Sequence, residues 1–185
     1  WLSYQKGLKG ILDNPFNFDR IQMQLTHSWL IRYLGKSSIV LQAGYVFGDV
    51  PIMETFNIFA NNNGFGLYAT ESFATMHINE FVCDRFVALF FNHNFGKFFK
   101  TKWLSPDFIF VTNIGWGDIG DVQKHEGVTL KSMNDGFYES GLVIDNILKI
   151  TTSRIGFGAY YRYGANSFDK IADNFAFKVK ISFKL

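Results

Sequence analysis

What is scarce in this sequence narrows it faster than what is abundant. Among its 185 residues it holds one cysteine, Cys83, so an internal disulfide and a cysteine-rich zinc site are both excluded. The lone thiol reads as a small hydrophobe. Charged residues make up 18%, low against the roughly 25% of an ordinary soluble domain. A formal net charge of +2, dispersed along the chain, is too mild for a nucleic-acid footprint, and no nucleic-acid partner is expected. Long apolar runs are missing as well. The longest strongly apolar stretch, FVALFF at residues 86–91, falls far short of the roughly 18 residues that a membrane helix needs. The chain begins WLSYQKG, without a start Met or a signal peptide, and reads as the mature interior of a longer polypeptide. No Pro/Ser-rich linker divides it, so residues 1–185 are expected to form one unit.

Motifs of catalysis are equally thin. His27, His77, His93 and His125 are scattered, with no HExxH and no spacing suited to a metal, so structural roles are favoured. Asp118, Asp121, His125 and Glu126 share a loop that could hold a cation weakly, but a solvated loop explains them equally well. Ser140 in YESG lacks the GxSxG elbow of a serine nucleophile. GFGAYYRYG and GWGDIG read as glycines inside strands rather than a phosphate loop before a helix. The expectation is no enzyme, no cofactor and no metal.

What is present is alternation. The last strand sets Phe175, Phe177, Val179, Ile181, Phe183 and Leu185 against Ala176, Lys178, Lys180, Ser182 and Lys184, which is the period of a strand with one greasy and one charged side. The pattern recurs at residues 20–33, where Ile21, Met23, Leu25, Trp29, Ile31 and Tyr33 oppose Arg20, Gln22, Gln24, Thr26, Ser28 and Arg32. It recurs again at 38–47, at 142–150, and at 154–163, where Ile155, Phe157, Ala159, Tyr161 and Tyr163 oppose Arg154, Gly156, Gly158 and Arg162. Residues 81–95 and 108–117 are apolar on both faces in part, yet their β-branched and aromatic content still favours strand. With a short segment at 2–8, about eight strands and no convincing amphipathic helix are predicted.

Alternation alone does not say which face meets water. Connection lengths do discriminate. Tight connections, LGKS at 34–37 and TTS at 151–153, fall on one side of the meander, while the long ones, 50–79 and 118–136, fall on the other. An outer-membrane barrel sorts its loops in this way, with short periplasmic turns and long extracellular loops. Aromatics near strand ends suit interfacial girdles. The expected fold is therefore all-β: an antiparallel transmembrane β-barrel, this segment being the C-terminal part of a larger one, with its C-terminus in the periplasm. The lipid-facing set is Ile21, Met23, Leu25, Trp29, Ile155, Phe157, Tyr161, Phe175, Phe177, Val179, Ile181 and Phe183. The lumenal charged set is Arg20, Arg32, Asp145, Arg154, Arg162, Lys178, Lys180 and Lys184, with Glu139 and Asp84 as further partners in a charge network.

Four strings carry a resemblance: AGYVFGDVP (43–51), NEFVCDRFVALFFNHNFG (79–96), GFYESGLVIDNILKI (136–150) and GAYYRYGANSFDKIADNFAFKVKISF (158–183). Together they resemble the C-terminal region of a Bacteroidota family of unknown function, whose longer members join an N-terminal carboxypeptidase-regulatory-like domain to an outer-membrane barrel. Asn166 and Ser167 depart from that pattern, where a proline and an aromatic are expected. The resemblance implies residence in the outer membrane of a Gram-negative bacterium. Its expected partners are outer-membrane lipid, the outer-membrane assembly machinery during insertion, and other envelope proteins in a complex. Two roles remain open: a non-catalytic structural or accessory component in envelope biogenesis or a surface complex, and a transporter or channel with a basic lumen. A soluble ligand-binding barrel and an outer-membrane phospholipase are weaker alternatives.

Overall fold

Side chains of period two must be distributed over two faces, and the computed structural model of the chain distributes them over one large sheet. The structure describes residues 1–10, 15–57, 60–61, 63–97, 99–101, 104–120, 131–149 and 153–183. The strands are β1 (Leu2–Gly7), β2 (Phe18–Ile31), β3 (Gly35–Gly48), β4 (Phe56–Asn57), β5 (Phe65–Leu67), β6 (Val82–Cys83), β7 (Arg85–Lys97), β8 (Asp107–Asp118), β9 (Met133–Lys149), β10 (Ser153–Tyr163) and β11 (Phe175–Phe183). Eight of them form an antiparallel meander in the order β1-β2-β3-β7-β8-β9-β10-β11. β5 adds a ninth position, parallel to β11, through Phe65↔Phe177 and Leu67↔Val179. The chain is all-β, and among the described residues no helix is long and apolar enough to cross a membrane.

An antiparallel barrel was expected, with this segment as the C-terminal part of a larger one; the structure shows an all-β chain with one large sheet and no closed barrel among the described residues. That sheet is mixed rather than purely antiparallel, and β1 and β5 are its edges. Residues 63–68, in the long connection between β3 and β7, take up part of the outer edge of β11, where Phe177 N donates to Gly64 O and Tyr68 N to Val179 O.

Residues 49–84 also overturn the reading of a long external loop. They fold against one face of the sheet, here called the inner face, and their apolar side chains supply about a third of the core. Phe56, Phe73, Met76, Phe81 and Cys83 from this segment are buried with Phe18, Val40, Val46, Phe86, Phe90 and Phe137 from the strands. Phe73 sits at the centre, its ring 5.1 Å from Phe90 and 5.0 Å from Phe137. Small strand residues make room for these rings. A Cβ added to Gly115 would stand 2.8 Å from the Phe73 ring, and one added to Gly44 would stand 2.5 Å from Phe56. A second cluster, Ala74, Val111, Val143, Tyr160 and Ala176, continues the core toward β11.

β9 is longer than its alternation suggests, because residues 133–136, which read as turn, are already paired to β8. The disguise is a bulge: Gly136 has φ +81° and the β8–β9 register shifts between Gly115 and Gly117. A second irregularity, with Asn146 at φ 56°, accompanies the register shift opposite Ile155 and Phe157. Such extra residues re-aim the side chains that follow them, and Asp145 comes to point inward beside Lys180.

Truncating the central ring tests this architecture. Phe73→Ala is expected to destabilise the fold by about 3–5 kcal/mol, read as a lower denaturant midpoint with an unchanged slope. Cys83 gives a second readout, since burial pushes its thiol up to about 12. It should resist thiol reagents in the native protein and react once Phe73 is truncated or the chain is denatured.

Candidate functional site: the inserted segment and the cations that hold it

Four basic residues on the inner face of the described strands, Arg20, Arg162, Lys178 and Lys180, each meet the inserted segment. Arg20 on β2 lies 3.6 Å from the Glu54 carboxylate, with its guanidinium 4.6 Å from the Phe56 ring centre. Lys178 on β11, 1% exposed, donates to the Asn61 carbonyl at 2.7 Å. Lys180 donates to Asp145 at 2.6 Å and approaches the Tyr68 ring to 5.8 Å. Arg162 on β10 is the most deeply placed, with no exposed surface.

The Arg162 guanidinium makes a two-pronged pair with Glu80: Nη1 donates to Oε2 at 3.0 Å and Nη2 to Oε1 at 2.7 Å. Aromatic rings box it in, Phe168 at 4.4 Å and Phe137 at 4.5 Å from the guanidinium carbon, with Phe81 beyond. A planar, weakly hydrated cation suits such a box where an ammonium would not. Glu80 also accepts from the His77 amide at 3.0 Å and lies 3.4 Å from Lys131. Burial pushes the Glu80 carboxyl up, but Arg162, the His77 amide and Lys131 outweigh it, and the group is held below the usual carboxylate range.

Glu139 does the converse work. This β9 carboxylate has no exposed surface, and it accepts from the backbone amides of Ala74 and Thr75 at 2.9 Å each, from Thr75 Oγ1 at 2.7 Å and from Asn113 Nδ2 at 2.6 Å. An anion on the sheet thus satisfies the backbone of the segment, while a cation on the sheet satisfies the segment's own anion. Nearby, Gln24, Gln42 and Glu71 form a further bridge. At the β1 side, Gln5 donates to Glu54. The segment therefore reaches from β1 to β11 across the whole sheet.

Other expected members of the charged set lie elsewhere. Arg32 is not on the inner face: β2 ends at Ile31, and Arg32 stands exposed in the following turn over the Tyr33 ring. Arg154 is exposed near the start of β10. Asp84 accepts from the Gly120 amide at 2.7 Å and stands 3.9 Å from Arg85. Asp118 pairs with Arg85, while Asp121, His125, Glu126 and Lys184 lie outside the described residues. His27 stacks on Trp29, His77 meets the Phe168 edge, and His93 bonds Ser37 and the Leu34 carbonyl. Among the described residues no three His, Cys, Asp or Glu side chains converge as a metal site would need.

The apolar set lies on the opposite, outer face. Ile21, Leu25, Trp29, Phe157, Tyr161, Phe175, Phe177 and Ile181 are exposed there, while Met23, Ile155 and Val179 are half-buried between neighbours. The Phe183 side chain is outside the description. Val87, Phe110, Trp116 and Leu142 extend the same surface over β7, β8 and β9. Sequence reading named Glu139 as a partner in the charge network but missed Glu80 and Glu54 as organising groups. The signal was available in the apolar content of 49–84, since Phe56, Phe73, Met76 and Phe81 are too many large hydrophobes for a solvated loop.

No protein-family model, curated protein or solved structure matches the chain.

The Arg162–Glu80 pair is expected to be the strongest lock on the segment. Glu80→Leu leaves a buried guanidinium unpaired and should cost about 3–5 kcal/mol, whereas the double change Glu80→Leu with Arg162→Met should cost less than the single one. Because the Glu80 carboxyl is lowered by folding, its contribution is fully present above its ordinary value of 4.5 and is lost as pH falls through the lower folded value. Amide exchange across residues 71–84 should accelerate in that acid window in the native chain and show no such acid step in the double variant.

Proposed function

We propose that this chain is a β-barrel segment of the outer membrane of a Gram-negative bacterium, its C-terminus in the periplasm. It serves as a structural or accessory component in envelope biogenesis or a surface complex and carries no catalysis of its own. The observation that carries this reading is the two-sidedness of the sheet. Its outer face presents apolar and aromatic side chains from β2 to β11 with Phe177 at 42% and Leu142 at 66% exposure, while every buried ionic group is on the inner side. Water disfavours a continuous apolar surface of this breadth on a monomer, and a bilayer accepts it.

Aromatic contacts at the two ends of the strands support the same reading. Toward the long connections, Tyr45 meets Phe47, Trp116 meets Tyr138, Tyr138 meets Tyr163, and Tyr161 meets Phe175. Toward the tight turns, Trp29 meets His27 and Phe91. Rings of this kind suit the two headgroup levels. The resemblance to a Bacteroidota outer-membrane family points the same way. In lipid the open edges at β1 and β5 require further strand pairing, which fits membership of a larger barrel inserted by the outer-membrane assembly machinery and contacting other envelope proteins.

A scaffold is favoured over a channel because four of the inner-face cations, Arg20, Arg162, Lys178 and Lys180, are engaged by the inserted segment rather than arrayed along a free path. Exported in a Gram-negative host, the protein is expected in the outer-membrane fraction, resistant to alkaline extraction and released by detergent. Recovery in buffer without detergent would defeat the membrane reading. Purified in detergent and added to planar bilayers, it is expected to pass no steady current. Anion-selective conductance would favour the transporter or channel with a basic lumen instead.

A further inference from the structure

The inner face is not uniform, and its end nearest the tight turns is built differently from the rest. Where the inserted segment packs, the buried charged side chains Arg162, Glu139 and Lys178 are paired with other side chains or with backbone. Near the turns a cavity of about 290 Å³ opens between β2, β3, β7, β8 and residues 68–70, in the size range of small-ligand sites at its lower limit. Its polar groups come in two cross-strand rows. Ser28 faces Ser38, Ser38 faces Asn92 and Asn92 faces Val111, while Lys36 faces Asn94 and Asn94 faces Ile109. Among the described residues Ser28, Ser38, Asn92 and Thr70 make no side-chain hydrogen bond, and Asn94 uses only its Oδ1, to the Gly96 amide. A comb of hydroxyls and amides is therefore left with its donors and acceptors uncommitted.

The opposite wall has a different character. Ile109, Val111 and Val143 form an aliphatic patch, and Tyr68 stands beside it, held by stacking on Tyr160 at 6.1 Å and 12°. Among the described residues no carboxylate lines the cavity. Lys180 at its margin is already neutralised by Asp145 at 2.6 Å, so among the described residues Lys36 is the single unneutralised cation there. Strong anion selection needs convergent, uncompensated cations, and this cavity lacks them. It offers instead neutral hydrogen-bonding groups on one side and an aliphatic and aromatic surface on the other. A polyhydroxylated ring has both matching faces, equatorial hydroxyls at its rim and C–H groups on its flat.

We infer that this cavity is a binding site for a neutral saccharide unit, its hydroxyls held by Ser28, Ser38, Asn92 and Asn94 and its C–H face set against Tyr68, Val111 and Val143. The inference stands on the cavity alone and does not depend on the membrane reading.

The test uses the full chain purified in detergent. Saturation-transfer NMR and calorimetry are run with glucose, mannose, N-acetylglucosamine and maltose as probes, and with inorganic phosphate as the anion control. At least one sugar is expected to bind in the range of about 1 mM, with transfer strongest at its C–H face. Asn92→Ala and, independently, Ser38→Val should each weaken that binding by about tenfold, and Tyr68→Leu should abolish the C–H transfer. Ser38→Val removes the hydroxyl and places a residue of high strand propensity there, and far-UV circular dichroism verifies that each variant is folded. Binding by none of the four sugars, binding unchanged in both Asn92→Ala and Ser38→Val, or binding of phosphate alone would each overturn the assignment.

Discussion

The structure depends on one constraint: a sheet whose outer face is apolar has to put its charges on the other side, and charges removed from water need partners. Arg162 meets this constraint most severely. It is buried, boxed by Phe137 and Phe168, and answered by a carboxylate that arrives on a different part of the chain. Glu139 repeats the arrangement with the signs exchanged, its charge spread over two backbone amides, a hydroxyl and a carboxamide. Neither group would be tolerable without residues 49–84. The inserted segment is thus required by the electrostatics of the strands, and its own apolar side chains are required by the space those strands leave open.

Much of the sheet was legible in the chain because period two is an unambiguous signal. The alternation of β2, β3, β10 and β11 located those strands to within a few residues and sorted their side chains between two faces. Where the alternation failed, backbone irregularity was responsible. Residues 133–136 contain Asn134, Asp135 and Gly136, which locally read as a turn, and only pairing with β8 draws them into a strand. Arg32 continued the pattern of β2 in sequence, but the chain turns at Tyr33, a non-glycine residue in the left-handed region, and the arginine swings out.

The inner face was legible only in part. Its cations could be named, since Arg20, Arg162, Lys178 and Lys180 follow from alternation, and so could Asp145, which pairs with Lys180, but the partners of the other three could not. Glu54, Glu80 and Asn61 lie in a connection with no periodicity, and their positions are set by tertiary contacts with strands far away in the chain. The open edge was also hidden. A three-residue parallel pairing between β5 and β11 carries no local signature, whereas antiparallel neighbours linked by tight turns announce themselves.

The span of these partnerships governs the order in which the molecule can be made. Glu80 and Arg162 are 82 residues apart, and Asn61 and Lys178 are 117 apart. A chain growing from its N-terminus therefore completes residues 49–84 long before the strands that neutralise and cover them exist. Until β10 and β11 are synthesised, Glu80 lacks Arg162 and the Asn61 carbonyl lacks Lys178, so the stretch can settle against β2, β3 and β7 but cannot be locked in place.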